Sequence, residues 1–226
     1  MTPTLFVTSS GTDIGKTLVC CSLLESLGDT LAVRCIKPVV TGFDPDHPEG
    51  SDTARLLEAQ GLAVDAANID ATTPWRFREP LSADMAASRE GRHIPLDELV
   101  EFSRGPEDAD LNLIEGIGGV MAPIDERHTV LDWIAALDTG VLLVVGSYLG
   151  SLSHTLTAVD VLTRAGRKPI GIVVSQSLQE PVPTAETAAS LESHCQALPV
   201  FVFPRGAAAR NAAAAALIQR LQLRER

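Results

Sequence analysis

Short apolar runs alternate along this chain with longer amphipathic or alanine-rich stretches. Most of the short runs are apolar on consecutive residues, which is typical of strands buried on both faces of a parallel sheet. Their alternation with helices predicts an α/β fold, with a mostly parallel central sheet and helices on both of its faces. The predicted strands are residues 5–8, 31–37, 111–115, 141–146, 170–175 and 200–203, and the predicted helices are 16–27, 52–60, 96–103, 130–137, 153–164, 184–195 and 207–223.

One segment interrupts this pattern. Residues 38–51 contain Gly42, Pro45, Pro48 and Gly50, and we expect an irregular loop there, at the edge of the sheet.

No internal repeat or linker is visible in the sequence, so we expect one domain over residues 1–226. A single core of this size buries roughly 70 to 75% of the surface that the unfolded chain exposes.

The charge balance excludes several classes of partner. The chain has 29 Asp and Glu against 18 Lys and Arg, a formal net charge of −11. Tight binding to nucleic acid or to an anionic membrane needs a concentrated run of Lys and Arg, which this sequence lacks. Its apolar stretches are far shorter than the roughly 20 residues that cross a bilayer, and its first residues do not resemble a signal peptide. We expect a cytoplasmic protein with no nucleic-acid or membrane partner, whose four cysteines are reduced packing residues.

A candidate phosphate-binding loop follows the first predicted strand. Residues 8–17, TSSGTDIGKT, separate that strand from the first helix, where backbone N–H groups and a helix N-terminus can surround a phosphate. Gly15 would allow close approach, Lys16 would supply positive charge and the Thr17 hydroxyl would bind Mg²⁺. Ser10 stands where the strict spacing G-x-x-x-x-G-K-[ST] requires glycine, so a polar turn without a ligand is the alternative.

Carboxylates and a second lysine lie near the ends of other strands. Glu115 ends an apolar run and is followed by the glycine-rich sequence GIGG, and Asp52 follows the 38–51 segment. Either carboxylate could bind Mg²⁺, although Asp52 could instead cap a helix and Glu115 could be solvated. Lys37 could stabilise a transferring phosphoryl group or bind an anionic substrate, which Thr41 could also contact. A solubilising role for Lys37 is the alternative.

Four segments in combination resemble the dethiobiotin synthetase family over essentially the whole chain. They are TSSGTDIGKT at 8–17, KPVVTG at 37–42, EGIGG at 115–119 and LGSLSHT at 149–155. The resemblance implies a single-domain P-loop fold and an ATP-dependent cyclo-ligase of biotin biosynthesis. Such an enzyme carboxylates 7,8-diaminopelargonate with CO₂ to a carbamate, phosphorylates the carbamate and closes the ureido ring, giving dethiobiotin, ADP and phosphate.

The resemblance also implies roles for individual residues. The charge of the phosphoryl and carbamate groups would be stabilised by Lys16 and Lys37, and the diamine would be placed by Thr41. Magnesium would be held by Thr17, Asp52 and Glu115. The nucleotide would be bound by Thr12, Asp13, Ile14, Gly15, Lys16, Thr17, Glu115, Gly118, Ser175 and Pro204. The family is homodimeric, and the diamine carboxylate would be bound in the partner subunit by backbone N–H groups of Leu149, Gly150 and Ser153.

The chain departs from the family pattern at several positions. Residues 9–10 are Ser-Ser instead of the usual Gly-Thr, and Asp13 replaces a Glu. Ser175 stands where an Asn usually reads the nucleotide base, so base selectivity stays open. Ser153 replaces an Asn, and Asp84 occupies a position where His is common.

Two other functions fit the phosphate loop taken alone. One is a partition-type ATPase switch, in which hydrolysis controls association with DNA or a membrane. Such proteins typically have a lysine early in the loop, whereas residues 9–14 contain none, and a basic or amphipathic tail is also missing. The other is an amide-forming ligase of the same superfamily, which often carries a glutaminase domain that is not recognisable in this sequence.

Overall fold

The computed structural model describes residues 2–28, 30–105 and 108–222. Within these residues the strands are β1 (Thr4–Ser9), β2 (Val33–Ile36), β3 (Val39–Thr41), β4 (Trp75–Phe77), β5 (Leu111–Glu115), β6 (Gly140–Gly146), β7 (Gly171–Ser175) and β8 (Val200–Phe203). The α-helices are α1 (Lys16–Leu27), α2 (Asp52–Ala59), α3 (Ala66–Thr72), α4 (Ala83–Arg89), α5 (Leu96–Arg104), α6 (Val130–Leu137), α7 (Ser151–Arg164), α8 (Thr184–His194) and α9 (Ala207–Leu221).

One parallel sheet organises the molecule. Its strands lie in the order β2, β5, β1, β6, β7, β8, and each neighbouring pair is parallel. In this register Val7 of β1 lies opposite Glu115 of β5 and Leu142 of β6. The chain passes from β1 to β2 on one side of β1 and later builds β6, β7 and β8 on the other side. This reversal of direction opens a crevice beyond the carboxyl end of β1.

The core lies on both faces of the sheet, because successive strand residues point in opposite directions. On one face, Phe6 packs edge-on against Trp133 of α6, with ring centroids 4.7 Å apart. Helices α7 and α8 cover the same face. On the other face, Leu5 and Val7 pack with α1 and α9. The predicted α/β fold, with a mostly parallel sheet between two layers of helices, is confirmed.

The prediction of an irregular loop over residues 38–51 is wrong in part. Val39–Thr41 forms β3, which pairs in parallel with Trp75–Phe77 in a separate two-stranded sheet. Pro48–Gly50 forms one turn of 3₁₀-helix. The partner strand of β3 lies far along the chain, so the local glycines and prolines hide a pairing that only tertiary contact creates. This small sheet brings Thr41 toward the crevice.

Most of the predicted elements are present, with shifted ends. Helix α7 begins at Ser151 instead of residue 153, directly after Gly150 in a left-handed conformation. Strand β2 ends at Ile36, so Lys37 follows the strand. The predicted end of the last helix at residue 223 lies outside the described residues. Among the helices that are described, none combines the length and the apolar character needed to cross a membrane.

Candidate active site

A cavity of about 610 Å³ opens at the carboxyl edge of the main sheet. Its walls come from segments that follow β1, β2, β5 and β7, as expected at the point where the strand order reverses. Two of the three lysines in the sequence lie in it. Most of the site residues predicted from the sequence line this cavity: Thr12, Asp13, Ile14, Gly15, Lys16, Thr17, Lys37, Thr41, Asp52, Glu115, Gly118 and Ser175.

The predicted phosphate loop turns sharply between β1 and α1. Asp13 and Gly15 both have positive φ, at 55° and 107°. A Cβ atom on Gly15 would lie 2.6 Å from Ser175 Oγ, so glycine is required both by conformation and by space. Helix α1 begins at the next residue, and its first N–H groups therefore face the cavity, where they favour an anion.

Lys16 is held inside the cavity by its loop neighbours. Its Nζ donates hydrogen bonds to Ser9 Oγ at 3.1 Å and to the Gly118 carbonyl oxygen at 2.8 Å. Only 6% of the residue is exposed. Burial lowers the pKa of Lys16 to about 8; Glu115 partly offsets this effect and Lys37 reinforces it. At neutral pH the Lys16 side chain is therefore charged in an environment that disfavours the charge, and an anionic ligand would stabilise it.

Thr17, Lys37, Asp52 and Glu115 form a second group of contacts, which we call the Glu115 cluster. Lys37 Nζ donates hydrogen bonds to Asp52 Oδ2 and to Glu115 Oε1, the latter at 2.8 Å. The Thr17 hydroxyl donates to the same Glu115 oxygen at 2.7 Å. Lys37 and Glu115 are both buried. One carboxylate oxygen thus joins the phosphate loop to the lysine that follows β2.

The Glu115 cluster keeps opposite charges together in a buried place. Burial disfavours the charged form of Lys37, but Glu115 and Asp52 outweigh it and raise the pKa of Lys37. Burial likewise favours the neutral form of Asp52, but Lys37 outweighs it and lowers the pKa of Asp52. Lys37 and Asp52 are therefore both charged at neutral pH.

The Glu115 cluster also presents the hard oxygen donors that Mg²⁺ takes, namely two carboxylates and a hydroxyl. Glu115 Oε2 is buried, and none of the residues that the structure describes hydrogen-bonds to it. A buried acceptor of this kind suits a cation. Within the same described ranges, no group of three or more His, Cys, Asp or Glu side chains could hold a metal. A magnesium site here would be completed by phosphate oxygens and water, as is usual for this ion.

The end of the cavity beside β7 and β8 contains residues that the sequence did not single out. Ser175 ends β7 and lines the wall, but Pro204 does not, and the next residue, Arg205, lines it instead. Gln176 Oε1 accepts a hydrogen bond from the Arg205 backbone N–H at 3.1 Å, which joins the two loops. Gln176 and Arg205 both follow the carboxyl ends of strands, and this position is the signal that could have identified them.

The segment predicted to bind a carboxylate for the partner subunit lies outside the cavity. Leu149 and Gly150 precede α7 and Ser153 lies in its first turn, with Leu149 89% exposed. Tyr148, one residue earlier, does line the cavity, and its hydroxyl lies 2.8 Å from His154 Nδ1. This segment is therefore exposed surface that begins at the rim of the cavity.

Solved structures share this fold. A McdA variant of Cyanothece in complex with ATP aligns with a TM-score of 0.59 at 15% identity, covering 98% of this chain and 96% of that chain. The MinD cell division protein of Aquifex aeolicus aligns with a TM-score of 0.57 at 13% identity, covering 97% and 95%. At such low identity the likeness concerns the fold alone.

Sequence relatives are more specific. A family model described as AAA domain matches residues 3–205. A protein of Acidiphilium cryptum named ATP-dependent dethiobiotin synthetase BioD is 45% identical over 203 residues, which cover 88% of this chain and 91% of that protein. A protein of the same name from Phenylobacterium zucineum is 43% identical over 226 residues, covering 98% and 96%. The phosphate loop, the Glu115 cluster and this identity along both chains agree, and the chain belongs to the ATP-dependent dethiobiotin synthetase family.

Proposed function

We propose that this protein is an ATP-dependent dethiobiotin synthetase, which forms the ureido ring of dethiobiotin from 7,8-diaminopelargonate, CO₂ and ATP. The observation that carries the proposal is the presence of Lys16 and Lys37 in one cavity, together with Asp52 and Glu115. Two buried ammonium groups would neutralise a small anion while it is being phosphorylated. A carbamate formed from one amine of the diamine and CO₂ is such an anion.

The reaction needs two displacements after carbamate formation. A carbamate oxygen attacks the γ-phosphorus, and the bond from that phosphorus to the ADP oxygen breaks. The second amine then attacks the carbonyl carbon of the mixed anhydride, phosphate leaves, and the amine loses a proton. Lys16 would stabilise the phosphoryl oxygens, Lys37 would stabilise the carbamate, and the Thr41 hydroxyl would place the diamine. The low exposure of both lysines supports a site that keeps water from the anhydride.

Thr17, Asp52 and Glu115 would hold Mg²⁺ beside the phosphates. When bound, Mg²⁺ would supply positive charge to the phosphate oxygens. The backbone N–H groups of residues 12–17 would surround the phosphates of the nucleotide. Its base would lie toward Ser175, where the Gln176 and Arg205 loops meet.

The protein would act as a homodimer in the cytoplasm. Backbone N–H groups of Leu149, Gly150 and Ser153 in one subunit would bind the diamine carboxylate in the cavity of the other. The start of α7 supports this role, because a helix N-terminus favours a carboxylate. The nearly complete exposure of Leu149 also supports it, since association would cover that side chain. Analytical ultracentrifugation at assay concentrations tests this part, and a monomer under all conditions would contradict it.

Phosphate release tests the proposed reaction. With ATP, Mg²⁺, the diamine and bicarbonate present, we expect steady release of phosphate, and omission of either the diamine or bicarbonate should reduce it to the background rate. In the same assay Lys37→Gln should release little phosphate, whereas the matched control Lys168→Gln, which removes the same charge from an exposed position, should turn over like the unmodified protein. ATP consumption that continues unchanged after either omission would contradict the proposal.

A further inference from the structure

Lys37 occupies the place where the metal ligands meet. Its ammonium donates to Asp52 and to Glu115, and the Glu115 oxygen that it contacts also accepts the Thr17 hydroxyl. The three residues assigned to Mg²⁺ thus meet in one network around a cation that belongs to the chain itself, and of their buried side-chain oxygens only Glu115 Oε2 is left without a partner among the described residues.

An ammonium and Mg²⁺ would compete for this place. Mg²⁺ requires its oxygen ligands at about 2.0 to 2.1 Å in a near-octahedral arrangement. Lys37 Nζ lies 2.8 Å from Glu115 Oε1 and also contacts Asp52 Oδ2, so a metal bound to the same carboxylates would lie beside a second positive charge. Even a metal that binds through the unpartnered Glu115 Oε2 would lie beside the ammonium, so charge repulsion favours movement of the ammonium away from these contacts.

Both the Lys37 ammonium and the Glu115 carboxylate need a partner of opposite charge in this buried environment. Lys37 is 6% exposed and Glu115 1% exposed, and a buried charge without a partner is strongly unfavourable. The backbone of Lys37 is also fixed, because its N–H donates to the Thr72 carbonyl oxygen at 3.2 Å. Movement is therefore restricted to the flexible side chain, which would need another anion to pair with after leaving the carboxylates.

We propose that the Lys37 ammonium is a built-in counter-cation that fills the metal site of the nucleotide-free protein and is exchanged for Mg²⁺ when the nucleotide enters. The phosphates, and then the carbamate, would provide the anions that receive the displaced ammonium. This inference rests on the proposed function for the identity of the metal ligands. It gives Lys37 a second role besides stabilising the carbamate. The Lys37 ammonium would reach the substrate side of the cavity only after Mg²⁺ has replaced it at the carboxylates.

Metal binding without nucleotide tests the exchange. Mn²⁺ is titrated into the nucleotide-free protein and the free ion is measured by electron paramagnetic resonance, with no diamine or turnover involved. We expect Lys37→Gln to bind Mn²⁺ about tenfold more tightly than the unmodified protein, because the competing cation is gone. The matched control is Lys168→Gln, which removes the same charge from an exposed side chain outside the cavity, where solvent screening leaves a change below about threefold.

A second titration, with a non-hydrolysable ATP analogue bound, tests where the ammonium goes. We expect the difference between Lys37→Gln and the unmodified protein to shrink, because the phosphates then stabilise the displaced ammonium. Equal or weaker Mn²⁺ binding by Lys37→Gln in the absence of nucleotide, or a difference that the analogue leaves unchanged, would overturn the exchange. Circular dichroism verifies folding of the variant, and Lys37→Met, which fills the same space without charge, replaces it if it fails to fold.

The outcome also separates this inference from the proposed synthetase reaction. Absence of diamine-dependent phosphate release by the unmodified protein, together with tighter Mn²⁺ binding by Lys37→Gln, would count against the reaction and support the exchange. Normal phosphate release with no gain in Mn²⁺ affinity would count against the exchange alone.

Discussion

Replacement of Lys16 by methionine is expected to stabilise the nucleotide-free protein, although it removes a residue assigned to phosphate binding. Burial lowers the pKa of this lysine from its ordinary value of 10.5 to about 8. That difference corresponds to a cost of about 3 kcal/mol for holding the charged side chain in the folded protein at neutral pH. Methionine is similar in length and carries no charge, so Lys16→Met should raise the free energy of unfolding at pH 7 by up to this amount.

The hydrogen bonds of Lys16 do not reverse this expectation. Ser9 Oγ also donates to the Gly118 carbonyl oxygen, at 2.8 Å. The Ser9 hydroxyl has one proton, which it can donate either to the Gly11 carbonyl oxygen at 2.5 Å or to Gly118. It can therefore still satisfy Gly118 when the ammonium is removed, which limits the cost of losing the Lys16 hydrogen bonds.

The stabilisation should depend on pH in a defined direction. The folded-state pKa of Lys16 is about 8 and lies below the unfolded value of 10.5, so between these two values the unfolded chain binds more protons. The cost of burying the charge is complete below pH 8, decreases as the pH rises and disappears above 10.5. The advantage of Lys16→Met should thus fall from about 3 kcal/mol at pH 7 to about 1 kcal/mol at pH 10.

Urea unfolding of both proteins at pH 7 and pH 10 measures this difference without nucleotide. Lys168→Met serves as the matched control, because this lysine is exposed and its replacement should change the unfolding free energy by less than about 0.5 kcal/mol. An unchanged or reduced stability of Lys16→Met at pH 7 would refute the reasoning, as would a gain that does not diminish at pH 10.

Two further predictions concern binding and turnover. Lys37→Gln should lower kcat by about 10²-fold or more while nucleotide affinity, measured with a fluorescent ATP analogue, changes by only a few fold, because the loop N–H groups remain; near-normal turnover would remove Lys37 from the mechanism. Gly15→Ala should abolish binding of the same analogue, since the residue has φ of 107° and its Cβ would meet Ser175 Oγ at 2.6 Å. Adding Ser175→Ala should restore binding only in part, because the strained backbone remains, and full restoration would show that the contact alone matters.

Much of the sheet was predictable because its strands are buried on both faces. Runs such as residues 141–146 and 111–115 are apolar without alternation, and this marks them as central strands whatever their neighbours are. The phosphate loop was predictable for a similar reason. Gly15 and Lys16 stand at a junction between strand and helix, and the positive φ of Gly15 and the helix start at Lys16 are local features that a short stretch of sequence can specify.

The sequence was less informative wherever distant segments meet. The pairing of β3 with β4 joins segments far apart in the chain, so neither short strand was recognisable alone. Similarly, the contact between Lys37 and Asp52 depends on how α2 packs beside β2, and no local pattern encodes it. Tyr148 and Arg205 were missed because the residue that lines a cavity after a strand depends on the exact path of the loop, which length and composition leave undetermined.

The proposed chemistry requires that the carbon of CO₂ become the ureido carbonyl of the product. Incubation with ¹³C-bicarbonate, 7,8-diaminopelargonate, ATP and Mg²⁺, followed by mass spectrometry of the product, follows that carbon directly. We expect dethiobiotin that carries the label, formed in equal amount to the phosphate released. Phosphate release without labelled dethiobiotin would contradict the assignment of Lys16 and Lys37 to a carbamate that is phosphorylated and then closed into a ring.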